Sequence, residues 1–191
     1  MIAERQETET PLSCPVLVTE RLILRRPHRD DVAELAELAN NRRVADMLAR
    51  MPFPYSEAHA EDFVRRTGEG QGCTYALTLS TTGAFIGCAG LDLTPKGLAL
   101  GYWIGEPFWG KGYGTEAAHA LVDLAFRNSE IDQLLVSCRV INEASRRVIH
   151  KCGFQYTGQG MMDSLAAGRV ATEHYALSRS TWIALRSWPR A

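Results

Sequence analysis

The chain has 191 residues, 46% hydrophobic and 23% charged, with a formal net charge of −1. That length fits one domain with a sizeable core. The charge balance gives no electrostatic case for nucleic-acid binding, and no apolar run approaches the ~18 residues of a membrane span. The polar, acidic stretch Met1 to Thr10 lacks the apolar core of a secretory signal. The five cysteines (14, 73, 88, 138 and 152) are odd in number, widely spaced and without a C-x-x-C pair. They fit free thiols in a reducing cytoplasm better than a disulfide framework or a zinc site.

Residues 1–18, with two prolines and no periodicity, are expected to form a loose extension. Residues 21–26 alternate as a strand does, and Pro27 ends them. Asp30 stands where a helix N-cap belongs, and Val32, Leu35, Ala36, Leu38 and Ala39 recur at helical spacing. Val44, Met47 and Leu48 suggest a second, short helix. Pro52 and Pro54 forbid helix, and Ser56 is placed to cap a third one carrying Ala60, Phe63 and Val64, closed by Gly68, Gly70 and Gly72. Residues 73–79 and 84–93 read as antiparallel strands joined by a Ser80–Gly83 turn, with Gly87 and Gly90 marking close backbone approach. Residues 98–104 form the next strand, and Ala118, Leu121, Val122 and Ala125 give the helix that starts at Thr115 an apolar stripe. A strand at 134–140, a helix at 143–151 with Gly153 as its C′ residue, and strands at 154–162 and 170–177 complete the pattern. Strands first, then strand–helix–strand, predict an α/β or α+β mixed sheet.

The chemistry concentrates at Trp109-Gly110-Lys111-Gly112-Tyr113-Gly114-Thr115, between a strand and a helix. Alternate glycines allow tight turning and close approach of a ligand. The unpaired amides and positive dipole end of the helix then suit a phosphate or pyrophosphate. Gly105-x-x-x-x-Gly110-Lys111 follows a Walker A pattern, but Gly112 stands where a magnesium-binding Ser or Thr is needed, which argues against a nucleotide-hydrolysing P-loop. The G-x-G-x-G spacing past mid-chain does not fit a dinucleotide fingerprint either.

The run GYWIGEPFWGKGYGTEA (residues 101–117), with Asn142-Glu-Ala-Ser145 and Lys151-Cys-Gly-Phe154 after it, resembles the GNAT N-acetyltransferases, in particular their Rim-type branch, which acetylates ribosomal-protein N-termini. Thr19-Glu-Arg-Leu-Ile-Leu-Arg-Arg26 and Met51-Pro-Phe-Pro-Tyr-Ser56 are similar to that branch too. The resemblance implies a single GNAT-like domain over residues 19–180, followed by a tail at 181–191. Its fold would be a central, mostly antiparallel twisted sheet of about seven strands flanked by helices. It implies an acetyl-CoA-dependent N-acetyltransferase without a metal. The acceptor would be a protein or peptide α-amine; the alternatives are a small amine (antibiotic or polyamine) or a non-catalytic acyl-CoA sensor. A cytoplasmic monomer or homodimer, with no nucleic-acid or membrane partner, completes the expectation.

The same resemblance assigns roles to residues. Backbone groups near Ile104 would pair with the pantetheine arm and polarise the thioester. Amides from Gly110 through Lys111, Gly112, Tyr113 and Gly114 to Thr115 would hold the pyrophosphate. Trp109 replaces the usual Gln or Arg, Lys111 would add charge, and Asn142 would bond the arm while capping a helix. The family's acidic Tyr is replaced by Ile149, leaving Ser145 to protonate the thiolate. Glu106 is the first candidate base and Asp92 the second. Tyr55 is a specificity candidate on a loop that borders the family's acceptor site, and His174 could face the acceptor. No cysteine falls in a signature that suggests an acyl-enzyme, so direct attack by the amine is expected.

Overall fold

The computed structural model describes residues 13–67 and 72–187. Residues 1–12 of the extension expected over 1–18, and Gly68 and Gly70 at the expected end of the third helix, lie outside the described residues. Strand β1 (Leu17–Val18) lies within the segment expected to be loose and pairs with β2 (Leu22–Arg25). Helices α1 (Val32–Ala39), α2 (Arg42–Ala45) and α3 (Glu57–Arg66) follow, the last capped by Ser56 and His59. Strands β3 (Cys73–Leu79), β4 (Phe85–Thr94) and β5 (Gly97–Ile104) form a meander. Helix α4 (Tyr113–Asn128), strand β6 (Gln133–Arg139) and helix α5 (Glu143–Lys151) come next. Hairpin β7 (Gln155–Ser164) and β8 (Gly168–Ser178) leads into α6 (Arg179–Ser187).

Among the described residues eight strands form one sheet in the order β1-β2-β3-β4-β5-β6-β8-β7, antiparallel except for the β5–β6 pair. The expected mixed fold is therefore present, with eight strands where about seven were expected. Alternation divides the sheet into two apolar faces. Leu22, Leu24, Leu77, Leu91 and Leu100 pack with Leu121, Ala125 and Phe126 of α4 in one cluster. Ala76, Phe85 and Cys88 pack with Leu35, Val44 and Ala60 from α1–α3 in the other. Gly87 permits the tight β4–β5 contact, since a Cβ there would meet Trp103 O at 2.2 Å.

Two readings change. Cys14 and Cys73 form a disulfide across 59 residues of sequence, while Cys88, Cys138 and Cys152 are free and buried. Spacing carried no cue to this pair: the fold itself brings residue 14 to the start of β3. The segment expected as a tail from residue 181 is occupied through Ser187 by α6. Trp182 stacks on Phe126 at 5.2 Å and donates to Asp123 Oδ1 at 2.9 Å, and the Arg179 guanidinium caps carbonyls at the end of α4.

One ion pair links β2 to the helices that cover the second face. Asp31, 4% exposed, takes a two-pronged grip from Arg25, at 2.6 and 2.8 Å, and a bond from the His28 amide at 2.9 Å. Burial works to raise the Asp31 pKa, but the Arg25 and His28 hydrogen bonds outweigh it and hold the carboxyl below its ordinary 3.8. A depressed folded pKa adds stability above the unfolded value and loses it as pH falls through the folded one. Asp31→Asn is therefore expected to destabilise the protein at pH 7, and its difference from wild type to shrink below about pH 4. Urea unfolding of both proteins across that range checks this.

Candidate acetyl-transfer site

Strand β5 pairs with β4 along its whole length, from Gly97 to Ile104, but with β6 only at Ala99↔Leu135 and Leu100↔Val136. Gly105 N–H bonds to Ile86 O at 2.8 Å. By the alternation of an antiparallel ladder, the backbone groups of Tyr102 and Ile104 then point the other way, towards β6. Past the last β5–β6 pair they face a gap. On the face covered by α1–α3, Gly101 and Ser137 are exposed although both sit in central strands. Segment 46–50 crosses above this opening. Arg139 donates to Asp46 O, Ser164 Oγ to Leu48 O at 2.7 Å and Leu165 N to Ala49 O at 2.9 Å, while Arg50 pairs with Asp92.

The glycine loop enters α4 at the end of β5. Gly110 and Gly112 have φ of 75° and 84°, a left-handed region that penalises any side chain. No side chain caps the helix, and Glu116 N–H bonds back to Gly112 O at 3.1 Å. Gly114 and Thr115, both half-buried, complete the first turn. Gly114 lies close enough to Tyr102 that a Cβ would stand 3.5 Å from its ring. Trp109 folds its indole back to donate to Ile104 O at 2.6 Å, and Arg43 lies over its ring at 5.1 Å. Ile104 O therefore already accepts one hydrogen bond before any ligand approaches. The exposed Lys111 has its Nζ 5.6 Å from the Phe108 ring centre.

The anchor of this loop escaped sequence reasoning. Glu116 accepts from Thr19 Oγ1 at 2.6 Å, Arg21 N at 2.8 Å and Arg21 Nε at 2.7 Å. Arg21 also donates to Lys111 O at 2.9 Å and lies over the Tyr113 ring at 4.8 Å. Burial pushes the Glu116 pKa up, but the hydrogen bonds from Thr19 and Arg21 prevail and lower it. The signal was present: Thr19-Glu-Arg21 and Gly114-Thr-Glu116 both belong to the runs that carry the family resemblance, yet nothing local joins them.

Across the gap, Asn142 caps α5 by accepting from Ser145 N at 3.0 Å. Ser145 Oγ lies 2.9 Å from Tyr102 Oη. Burial raises the thiol of Cys152 to about 12 and that of Cys138 upward as well, so both are neutral and poor nucleophiles. Glu106 sits just beyond β5 with its carboxylate held by Asn41 Nδ2 at 2.6 Å and by Arg43. His174 pairs with Ser137 across β6–β8 and so shares the open face. Tyr55 is buried under α1 and α3, its pKa pushed to about 12 by burial. It packs in the core cluster with Leu35, Met51 and Ala60.

A splayed strand pair thus lies beside an uncapped, glycine-led helix whose first-turn amides suit an anionic group. The chain belongs to the acetyltransferase (GNAT) domain family, which matches residues 21–155. It is an acetyl-CoA-dependent N-acetyltransferase. It is 28% identical over 175 residues to YdaF of Bacillus subtilis (strain 168), provisionally named a ribosomal N-acetyltransferase, covering 86% of this chain and 95% of that protein. The structure of RimL, the ribosomal L7/L12 α-N-protein acetyltransferase, in complex with coenzyme A shares its fold with a TM-score of 0.72 at 23% identity, covering 85% of this chain and 97% of that one. Spermidine N-acetyltransferase from Vibrio cholerae, in complex with CoA and spermine, shares it with the same TM-score of 0.72 at 18% identity, covering 86% and 99%.

Proposed function

We propose that the acceptor is the α-amine of a protein or peptide, acetylated by direct attack on acetyl-CoA in a ternary complex. Proteins named for a ribosomal-protein acceptor and for spermidine share this fold, so the distinction rests on the opening. The observation that favours a peptide is the charge there. Asp92 is paired with Arg50, Glu106 with Arg43 and Asp46 with Arg42. A polyamine, with several positive charges, needs unpaired carboxylates, and this rim of arginines opposes it. The relationship to YdaF points the same way.

In this reading the amides from Gly110 to Thr115 and the Lys111 side chain hold the pyrophosphate. The backbone of Tyr102 and Ile104, together with Asn142, lies along the arm. The amine attacks the thioester carbonyl and the C–S bond breaks. Ser145 donates a hydrogen bond to the departing sulfur, which leaves as the thiolate and takes up a proton from solvent. Glu106, fixed by Asn41 and Arg43, receives the amine's proton; an α-amine, with an ordinary pKa near 8, makes a light demand on it.

The test is thiol release from acetyl-CoA with a panel of N-terminal peptides and small amines, with CoA binding followed by calorimetry. Turnover on peptides with a free α-amine, abolished by blocking that amine, is expected. Turnover confined to spermidine or another small amine would reverse the acceptor assignment. CoA binding without turnover on any amine would point to a sensor.

A further inference from the structure

We infer that Tyr102 is a positioning residue for acetyl transfer, its hydroxyl setting the direction in which Ser145 presents its proton to the leaving sulfur. The inference rests on the reading of Ser145 above. Tyr102 reaches from β5, one wall of the gap, to α5, the other, where its Oη lies 2.9 Å from Ser145 Oγ and 3.4 Å from Ser145 O. Each hydroxyl has one proton. When Tyr102 donates to Ser145 Oγ, the serine proton is no longer spent on the phenol and can turn to the leaving sulfur in place of its hydrogen bond with the Cys138 thiol. In the opposite arrangement Ser145 spends its proton on the phenol and has none for sulfur.

Developing negative charge on sulfur selects the first arrangement. A thiolate draws the Ser145 hydrogen, which makes Oγ a better acceptor for Tyr102, so the two bonds polarise each other. No proton leaves the phenol: the C–S bond breaks, its electron pair stays on sulfur, and the tyrosine–serine pair steadies that charge by hydrogen bonding alone. Burial raises the Tyr102 pKa, and the neighbouring Cys138 and Cys152 are themselves buried, neutral thiols. The phenol is thus a donor at any working pH, in surroundings of low polarity where such a bond is stronger than in water. Ile149, one turn further along α5, is buried and has no proton to offer.

The test is a double-mutant cycle with Tyr102→Phe and Ser145→Ala, read as kcat, KM for acetyl-CoA and Kd for CoA on the acceptor found above. Tyr102→Phe keeps the ring and is expected to lower kcat about tenfold with KM and Kd held within about twofold. In the Ser145→Ala background the same change is expected to alter kcat less than about twofold, because its target is gone. An undiminished kcat in Tyr102→Phe overturns the inference. So does an equal loss in both backgrounds, or a Kd that rises in step with the loss of kcat, since that would make the hydroxyl a packing element. If wild type turns over no amine, the acceptor reading falls first; wild-type turnover with an undisturbed Tyr102→Phe sinks this inference alone.

Discussion

Glu116→Ala is expected to raise the KM for acetyl-CoA about tenfold, about 1.4 kcal/mol of binding, and to lower stability by about 2–3 kcal/mol. The carboxylate accepts three hydrogen bonds, from Thr19 Oγ1, Arg21 N and Arg21 Nε, and only 14% of its side chain is exposed. Removing it leaves a charged guanidinium and a backbone amide without their acceptor. Arg21 would still reach Lys111 O, but through one contact rather than a network. The first turn of α4 must hold its amides in place before the phosphate arrives, and a looser turn spends binding energy on ordering. Calorimetry with CoA and denaturant unfolding separate the two effects. A variant that loses stability but keeps its CoA affinity would show that the network serves the fold alone.

Ser145→Ala is expected to lower kcat about 100-fold, the lower end of what one positioned proton donor contributes, with little change in KM. The N-terminal amide of residue 145 is bound by Asn142 Oδ1, a contact that the substitution leaves in place, so α5 keeps its cap. What disappears is the only hydroxyl that α5 places beside Tyr102 on the gap. Loss of kcat at constant KM identifies an interaction made in the transition state. A rise in KM at constant kcat would instead assign Ser145 to ground-state binding of the arm.

Much of the fold was legible from local pattern. Strand β3 runs from Cys73 to Leu79 and helix α5 from Glu143 to Lys151, with the bounds that periodicity and capping predict. Gly153 adopts a φ of 86° after α5, as a C′ glycine does. The glycine loop was equally plain, since its composition carries its conformation. Elements whose reasons are not local were missed. Strand β1 is two residues long and exists because β2 offers it an edge. Helix α6 leaves Ile183 and Leu185 half-exposed and is held by Trp182 against α4, so its stripe did not read as a buried face.

Within the site the division is sharper. The sequence by itself determined the order of elements from β2 to β8, the glycines that turn the chain into α4, the Asn142 cap and the serine one turn into α5. Each follows from residues within a few positions of one another. Only the tertiary structure decided that β5 and β6 separate after two pairs, that Glu116 is anchored by Thr19 97 residues away, that Cys14 meets Cys73, and that Tyr102 touches Ser145 across 43 residues. Periodicity and capping specify torsions and which face is buried. The register and divergence of strands depend on how distant side chains pack, a property of the assembled sheet that no short window of sequence contains.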